Sequence, residues 1–212
     1  MNQPSTIAGS DGRLRCRWCA AAPEFESYHD LEWGYPVADD NRLFEKICLE
    51  AFQSGLSWRT ILAKRENFRS AFDGFDFHRI ARYGAPDVAR LLEDKGIVRH
   101  RGKIEAVVNN ARRAVELQAS EGSLAAYFWR YEIDATTAAP PQSVSTSPQS
   151  VALSNDLKKR GWKFVGPTTV YAFMQAMGLV NDHADDCVIA GKIAKARKAF
   201  RSPAAPTPAA MR

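Results

Sequence analysis

Apolar residues recur at three- and four-residue intervals through most of this chain, and that rhythm constrains the fold more than any other feature. Leu43, Phe44, Ile47, Cys48 and Ala51 share one arc of a segment that opens at Asp39 or Asp40, residue types that cap helices, and runs to Phe52. Ile104, Val107, Val108, Ala111 and Val115 repeat the spacing. Val170, Phe173, Met174 and Met177 repeat it again before Gly178, which suits a helix ended by a left-handed glycine. No region alternates apolar and polar residues between hairpin turn pairs. The expected fold is all-α, with the methionines of the third stripe in the core.

A chain of 212 residues suits one compact domain or two closely packed subdomains and can bury a sizeable core. Residues 1–12 are polar and small and read as a disordered tail without the pattern of a secretory signal. Residues 13–198 form the expected helical body. A second disordered tail is expected over 199–212, because Arg-Ser-Pro-Ala-Ala-Pro-Thr-Pro-Ala-Ala after Phe200 offers little apolar surface to bury. Within the body, 135–150 is rich in Ala, Thr, Pro, Gln and Ser, contains Pro-Gln-Ser-Val twice, and reads as a long connection between two helical parts. No apolar run reaches the roughly 18 residues of a membrane span, so a cytoplasmic protein is expected. The formal charge of +5 favours a polyanionic partner without requiring one. Four cysteines are too few for a disulfide framework and would stay reduced inside a cell.

Four groups of residues carry possible chemistry. Cys16 and His29 lie near the start, and His183 and Cys187, at ligand spacing, near the end; together they could close one tetrahedral structural zinc site, although Cys16-x2-Cys19 leaves five candidates for four positions. Trp18, Phe25, Tyr28, Trp33 and Tyr35, with Trp58 farther on, crowd aromatic rings into polar, turn-like sequence. Such rings either fill a core or sandwich a flipped, positively charged base. Glu50 falls at the edge of the apolar arc, where a carboxylate needs a partner or must reach water. Finally, Lys95 to Ile104 reads as a hairpin between two helices. Gly96 and Gly102 permit close approach there, and Arg99, Arg101 and Lys103 place positive charge at a helix start, an arrangement suited to a DNA phosphate.

These residues resemble the 3-methyladenine DNA glycosylase I family, a divergent branch of the helix-hairpin-helix glycosylases. The resemblance runs from Arg15-Cys16 through Tyr28-His29-Asp30, Glu32-Trp33-Gly34, Cys48-Leu49-Glu50, Ser54-Gly55-Leu56-Ser57-Trp58 and Lys64-Arg65-Glu66-Asn67 to Arg99-His100-Arg101-Gly102-Lys103-Ile104. It resumes at Leu157-Lys158-Lys159-Arg160-Gly161 and continues through Phe173-Met174-Gln175-Ala176 and Asn181-Asp182-His183 to Cys187. The resemblance implies the helix-hairpin-helix fold, with a structural zinc on Cys16, His29, His183 and Cys187 clasping the N- and C-terminal segments and Cys19 left spare. It implies a base pocket of Glu50, Tyr28, Trp33 and Trp58, to which we add Trp18 and Phe25. Phe25 stands where the best-known members carry a tyrosine, so one hydroxyl contact is expected to be missing. Gly55 and Leu56 resemble the part that enters the duplex beside the lesion, Leu56 as the wedge. The implied activity is monofunctional release of 3-methyladenine from alkylated DNA, without lyase chemistry and without an obligate protein partner, by a monomer. A non-catalytic damage-binding module and a zinc hydrolase using Glu50 as base are the rival classes; a closed four-ligand site would exclude the second.

Overall fold

The computed structural model describes residues 5–9 and 11–203. Eleven α-helices in this span account for nearly all of the fold. The first is α1 (Pro23–Leu31), begun by Pro23 with Glu24 and Glu26 in its first turn. Next comes α2 (Asp40–Gln53), whose cap is Asp39: its side chain accepts from the Arg42 amide. Four short helices follow: α3 (Trp58–Ala63), capped by Ser57, α4 (Arg65–Ala71), α5 (Phe77–Ile80) and α6 (Ala85–Glu93). The long α7 (Arg101–Glu121) is capped by the His100 ring, and α8 (Leu124–Phe128) by Ser123. Three more complete the chain: α9 (Pro148–Lys159), α10 (Pro167–Ala176) and α11 (Ala190–Ala199).

The apolar stripes found in the sequence are the packing faces. Leu43, Phe44, Ile47, Cys48, Ile104, Val107, Ala111, Val170, Phe173 and Met174 are all buried. Helix α2 lies at the centre, against α7, α8 and α10, so it is buried on every side from Leu43 to Phe52. Phe44, Phe52, Phe68, Phe72, Phe75 and Phe77 fill the space around it, and each such ring contributes about 1.5–3 kcal/mol by leaving water. The price of this position is that Glu45, Lys46 and Glu50 are buried too. Gly178 ends α10 at φ +80°, as its place after the stripe predicts.

The helical fold expected from the stripes is the one observed, with one small addition: a two-stranded antiparallel sheet, β1 (Thr6–Ala8) with β2 (Leu14–Cys16), in register Thr6 to Cys16 and Ala8 to Leu14. The expected tail over 1–12 therefore contains a strand. It is held from outside, since the Thr6 hydroxyl donates to Asp186 at 2.6 Å and the Val188 amide to the Leu14 carbonyl at 2.8 Å. At the other end, Phe200 is packed on Trp129, ring centroids 4.3 Å apart, so the expected tail cannot begin before it; 204–212 lie outside the described residues. The connection expected over 135–150 stops at Ser147. The two Pro-Gln-Ser-Val copies take different structures: Pro141 to Val144 is loop, whereas Pro148 to Val151 is the first turn of α9, closed by reciprocal hydrogen bonds between Ser147 and Ser150.

Candidate active site

Lys46 and Glu50, one turn apart on α2, face the same way, and the Lys46 ammonium lies 2.7 Å from Glu50 Oε1. Both residues are 6 % exposed. Burial pulls the Lys46 pKa down while Glu50 opposes it. The ammonium also donates to the Tyr28 hydroxyl at 2.9 Å and lies 3.4 Å from the centroid of the Trp58 ring. Glu50 thus has one oxygen engaged, and Oε2 has no hydrogen bond among the described residues.

Glu50 opens into a cavity of about 300 Å³, and four of the predicted rings, Trp18, Tyr28, Trp33 and Trp58, line it with the acid. Trp18 meets Trp33 edge-on at 5.0 Å and Tyr28 at 6.3 Å, and Tyr28 leans on Trp58 at 5.4 Å. These are favoured aromatic geometries, so the rings brace one another without a ligand. Lys46 stands behind the Tyr28–Trp58 wall, on the side away from the cavity lining. Phe25 is corrected: it does not line the cavity but packs behind it with Cys19 and Ala22, its ring 5.9 Å from Trp18. An apolar ring suits that place.

The polar part of the lining was missed in the sequence. Gln53, Gln142, Gln175 and Asp182 line the cavity together with Val144 and Ala172. Asp182 is buried and both its oxygens accept, Oδ1 from the Gln142 amide at 2.9 Å and Oδ2 from Gln175 Nε2 at 2.6 Å. Gln142 reaches this position from the low-complexity loop through a backbone with φ +58°. Its side-chain nitrogen donates to the Asp182 backbone carbonyl at 3.4 Å.

Cys16, His29 and Cys187 converge, with donor atoms all within 4.8 Å of one another. His183 stands beside them, ring centroids 4.9 Å from His29, and its Nε2 is buried without a partner among the described residues. Each imidazole has an oxygen at Nδ1, Asp30 at 2.7 Å for His29 and Asn181 at 3.1 Å for His183; Nε2 of His29 lies 3.5 Å from Cys187 Sγ and that of His183 is left over. Burial and the neighbouring His29 push His183 down to about 4, so it is a neutral donor at ordinary pH. The nearness of the two buried sulfurs pulls Cys187 well below and pushes Cys16 well above the usual thiol range. Two cysteine sulfurs and the His29 ring, with the unpartnered Nε2 of His183 beside them, are a donor set that fits a structural zinc. Cys19 lies in the separate cluster with Phe25, its thiol pushed up to about 11 by burial. This Cys and His cluster abuts the cavity: His183 packs on Trp33 at 4.5 Å and His29 on Trp18 at 5.4 Å.

The residues expected to meet DNA form an outer surface. Leu56 is 42 % exposed at the tip of the turn after α2, beside exposed Gly55. Arg99 and Arg101 are exposed at the start of α7, and Gly102 is half-buried there. Gly96 is packed against Asn67, whose side-chain nitrogen donates to its carbonyl, so its close approach is to the protein. Lys103 is corrected: it is 7 % exposed and its ammonium is held by the carbonyls of Phe52, at 2.8 Å, and Ser54. It fastens the hairpin to the Leu56 turn instead of reaching outward.

The methyladenine glycosylase family model matches residues 18–190. DNA-3-methyladenine glycosylase 1 of Escherichia coli (strain K12) is 47 % identical over 177 residues, covering 82 % of this chain and 95 % of that protein. The DNA-3-methyladenine glycosylase of Haemophilus influenzae is 44 % identical over 177 residues, covering 82 % and 96 %. A crystal structure of 3-methyladenine DNA glycosylase I superposes with a TM-score of 0.75 at 46 % identity over 82 % of this chain and 98 % of that one. The Staphylococcus aureus enzyme, solved to explain 3-methyladenine recognition, gives 0.73 at 36 % identity over 79 % and 92 %. The mostly helical fold is shared over about four fifths of the chain, and the chain belongs to the methyladenine glycosylase family.

Proposed function

We infer that this chain is a monofunctional DNA-3-methyladenine glycosylase that takes the methylated purine out of the duplex and hydrolyses its N-glycosidic bond. The observation that carries this reading is a buried carboxylate, Glu50, in a cavity walled by four aromatic rings. Methylation at N3 makes the purine cationic and a good leaving group, so the site's task is to prefer that cation over neutral adenine. Rings attract it through their faces, and Glu50 Oε2 accepts a hydrogen bond from it. Lys46 keeps the carboxylate fixed from behind.

Leu56 and the α6–α7 connection, read as the helix-hairpin-helix element, supply the DNA contacts, with Leu56 as the wedge and Arg99 and Arg101 on phosphates. Lys103 and Lys46 both have their ammonium groups bonded inside the protein, which supports hydrolysis without a lysine nucleophile. Cys16, His29, His183 and Cys187 would hold a structural zinc, which would tie the strand segment to the segment before α11 and keep Trp18 and Trp33 in place. The acid, the rings and the donors all come from one chain, in keeping with a monomer acting on alkylated DNA. Among the described residues no helix is long and apolar enough to cross a membrane and all four cysteines are free thiols, in keeping with work in the cytoplasm.

The test is chromatography of the bases released from methylated duplex DNA, beside Glu50→Gln and a control for spontaneous depurination. Enzyme-dependent 3-methyladenine that falls with the substitution supports the reading. Release that never exceeds the control, from folded protein that binds the DNA, overturns it.

A further inference from the structure

We propose that Gln175 distinguishes a 6-amino purine from a 6-oxo purine in this cavity, and that Asp182 is the positioning residue that decides which end of the Gln175 amide the base meets. The proposal rests on the glycosylase reading and adds base identity to the recognition of charge. The charge attraction of aromatic faces and a carboxylate favours any cationic purine, so charge alone leaves N3-methylated adenine and N3-methylated guanine nearly alike. The difference between those bases lies at position 6, two N–H donors in one and a carbonyl acceptor in the other.

A glutamine amide carries a donor end and an acceptor end, and by itself can present either. Here the choice is made by Asp182. Both of its oxygens are acceptors, one already filled by the Gln142 backbone N–H, so the Gln175 nitrogen must face the other at 2.6 Å. The Gln175 carbonyl oxygen is left with no partner among the described residues, on a residue that lines the cavity. Glu50 Oε2 is the second such acceptor. A 6-amino group can donate to these acceptors, whereas a 6-oxo group brings a third acceptor to face Gln175 Oε1 and Glu50 Oε2, which leaves those acceptors unpaired out of water. The Gln142 side chain donates to the Asp182 backbone carbonyl at 3.4 Å, which further fixes the segment.

The experiment compares wild type, Gln175→Met and Asp182→Asn, each checked for native circular dichroism and zinc content. Release of 3-methyladenine and 3-methylguanine from the same methylated DNA is followed, and tryptophan fluorescence is titrated with the two free bases. In wild type 3-methyladenine is strongly preferred. In Gln175→Met the preference narrows by about tenfold, the worth of one unmade hydrogen bond. Asp182→Asn moves it the same way with Gln175 intact, because an asparagine can accept from or donate to the amide and lets it turn. A preference unchanged within about twofold in either folded variant, or an equal loss for both bases, overturns the proposal. If wild type releases no base, the glycosylase reading fails on that arm, while the binding titrations still decide the role of Gln175. Equal binding of the two bases by wild type overturns it as well.

Discussion

Gly178 is the position where a single methyl group does most damage for a stated reason. At φ +80° any L-residue is strained, by about 1–2 kcal/mol. A Cβ there would also stand 2.6 Å from Pro36 N and 2.7 Å from Tyr35 C, backbone atoms that cannot rotate aside. Relieving such overpacking costs about 1–3 kcal/mol more. Against this, alanine narrows the unfolded ensemble and returns about 0.4–1 kcal/mol. Gly178→Ala should therefore lose about 2–4 kcal/mol net. Gly55 supplies the control: its φ is +78°, but nothing lies within 4 Å of the place a Cβ would take, so Gly55→Ala should lose about 1 kcal/mol or less. Urea unfolding of the two variants beside wild type measures the difference, with equal m-values confirming like transitions. Because the amides of Gly34 and Val37 bond to the carbonyls of Ala176 and Met177, the shift at Gly178 should also weaken base binding through Trp33. Equal losses in the two variants would refute the reasoning, since strain alone would then explain both.

Removing the metal should lower the melting temperature and abolish base release together, and metal analysis should find one zinc per chain in wild type and none in Cys187→Ser; loss of zinc with melting and activity unchanged would contradict a structural clasp. Leu56→Ala should leave stability and free-base binding unaltered while weakening binding to lesion-bearing duplex about tenfold, measured by fluorescence anisotropy. Acid stability should depend on Glu32, whose pKa burial would raise but whose two hydrogen bonds from Arg65, at 2.6 and 2.9 Å, bring down. Its contribution is then complete above the ordinary glutamate value near 4.5 and is lost as pH falls through the lower folded value, so the urea midpoints of wild type and Glu32→Gln should converge from pH 6 toward pH 3. Parallel curves over that range would refute it.

Helices α2, α7 and α10 were legible because a buried stripe leaves its period in the sequence, and Gly178 because only glycine stops a helix cheaply at positive φ. The strands were not, since three residues are too few for alternation and what fixes them, Asp186 and Val188, lies at the far end of the chain. Glu50, Trp18, Tyr28, Trp33 and Trp58 could be found because acid and rings are out of place where they stand. Lys46 and Lys103 look like surface residues, and their burial depends on groups 18 and 51 positions away. Phe25 belongs to the same aromatic run but turns to the other side of Trp18. Gln142 left no signal at all: its tetrapeptide occurs twice, and only the backbone decides that one copy lines a cavity while the other starts a helix.

The N-terminal strand also sets an order of events in time. Thr6 is held by Asp186, 180 residues later, and Cys16 accepts from the Ala184 amide, 168 residues later. At translation rates of about 5–20 residues per second, the first of these partners waits roughly 10–35 s for the second to be made. During that interval Cys16 lacks the Ala184 amide and Trp33 lacks the His183 ring, however well the central helices have already docked. A ribosome that stops before residue 183 therefore releases a chain in which Cys16 and Trp33 lack the partners that complete their burial in the finished fold.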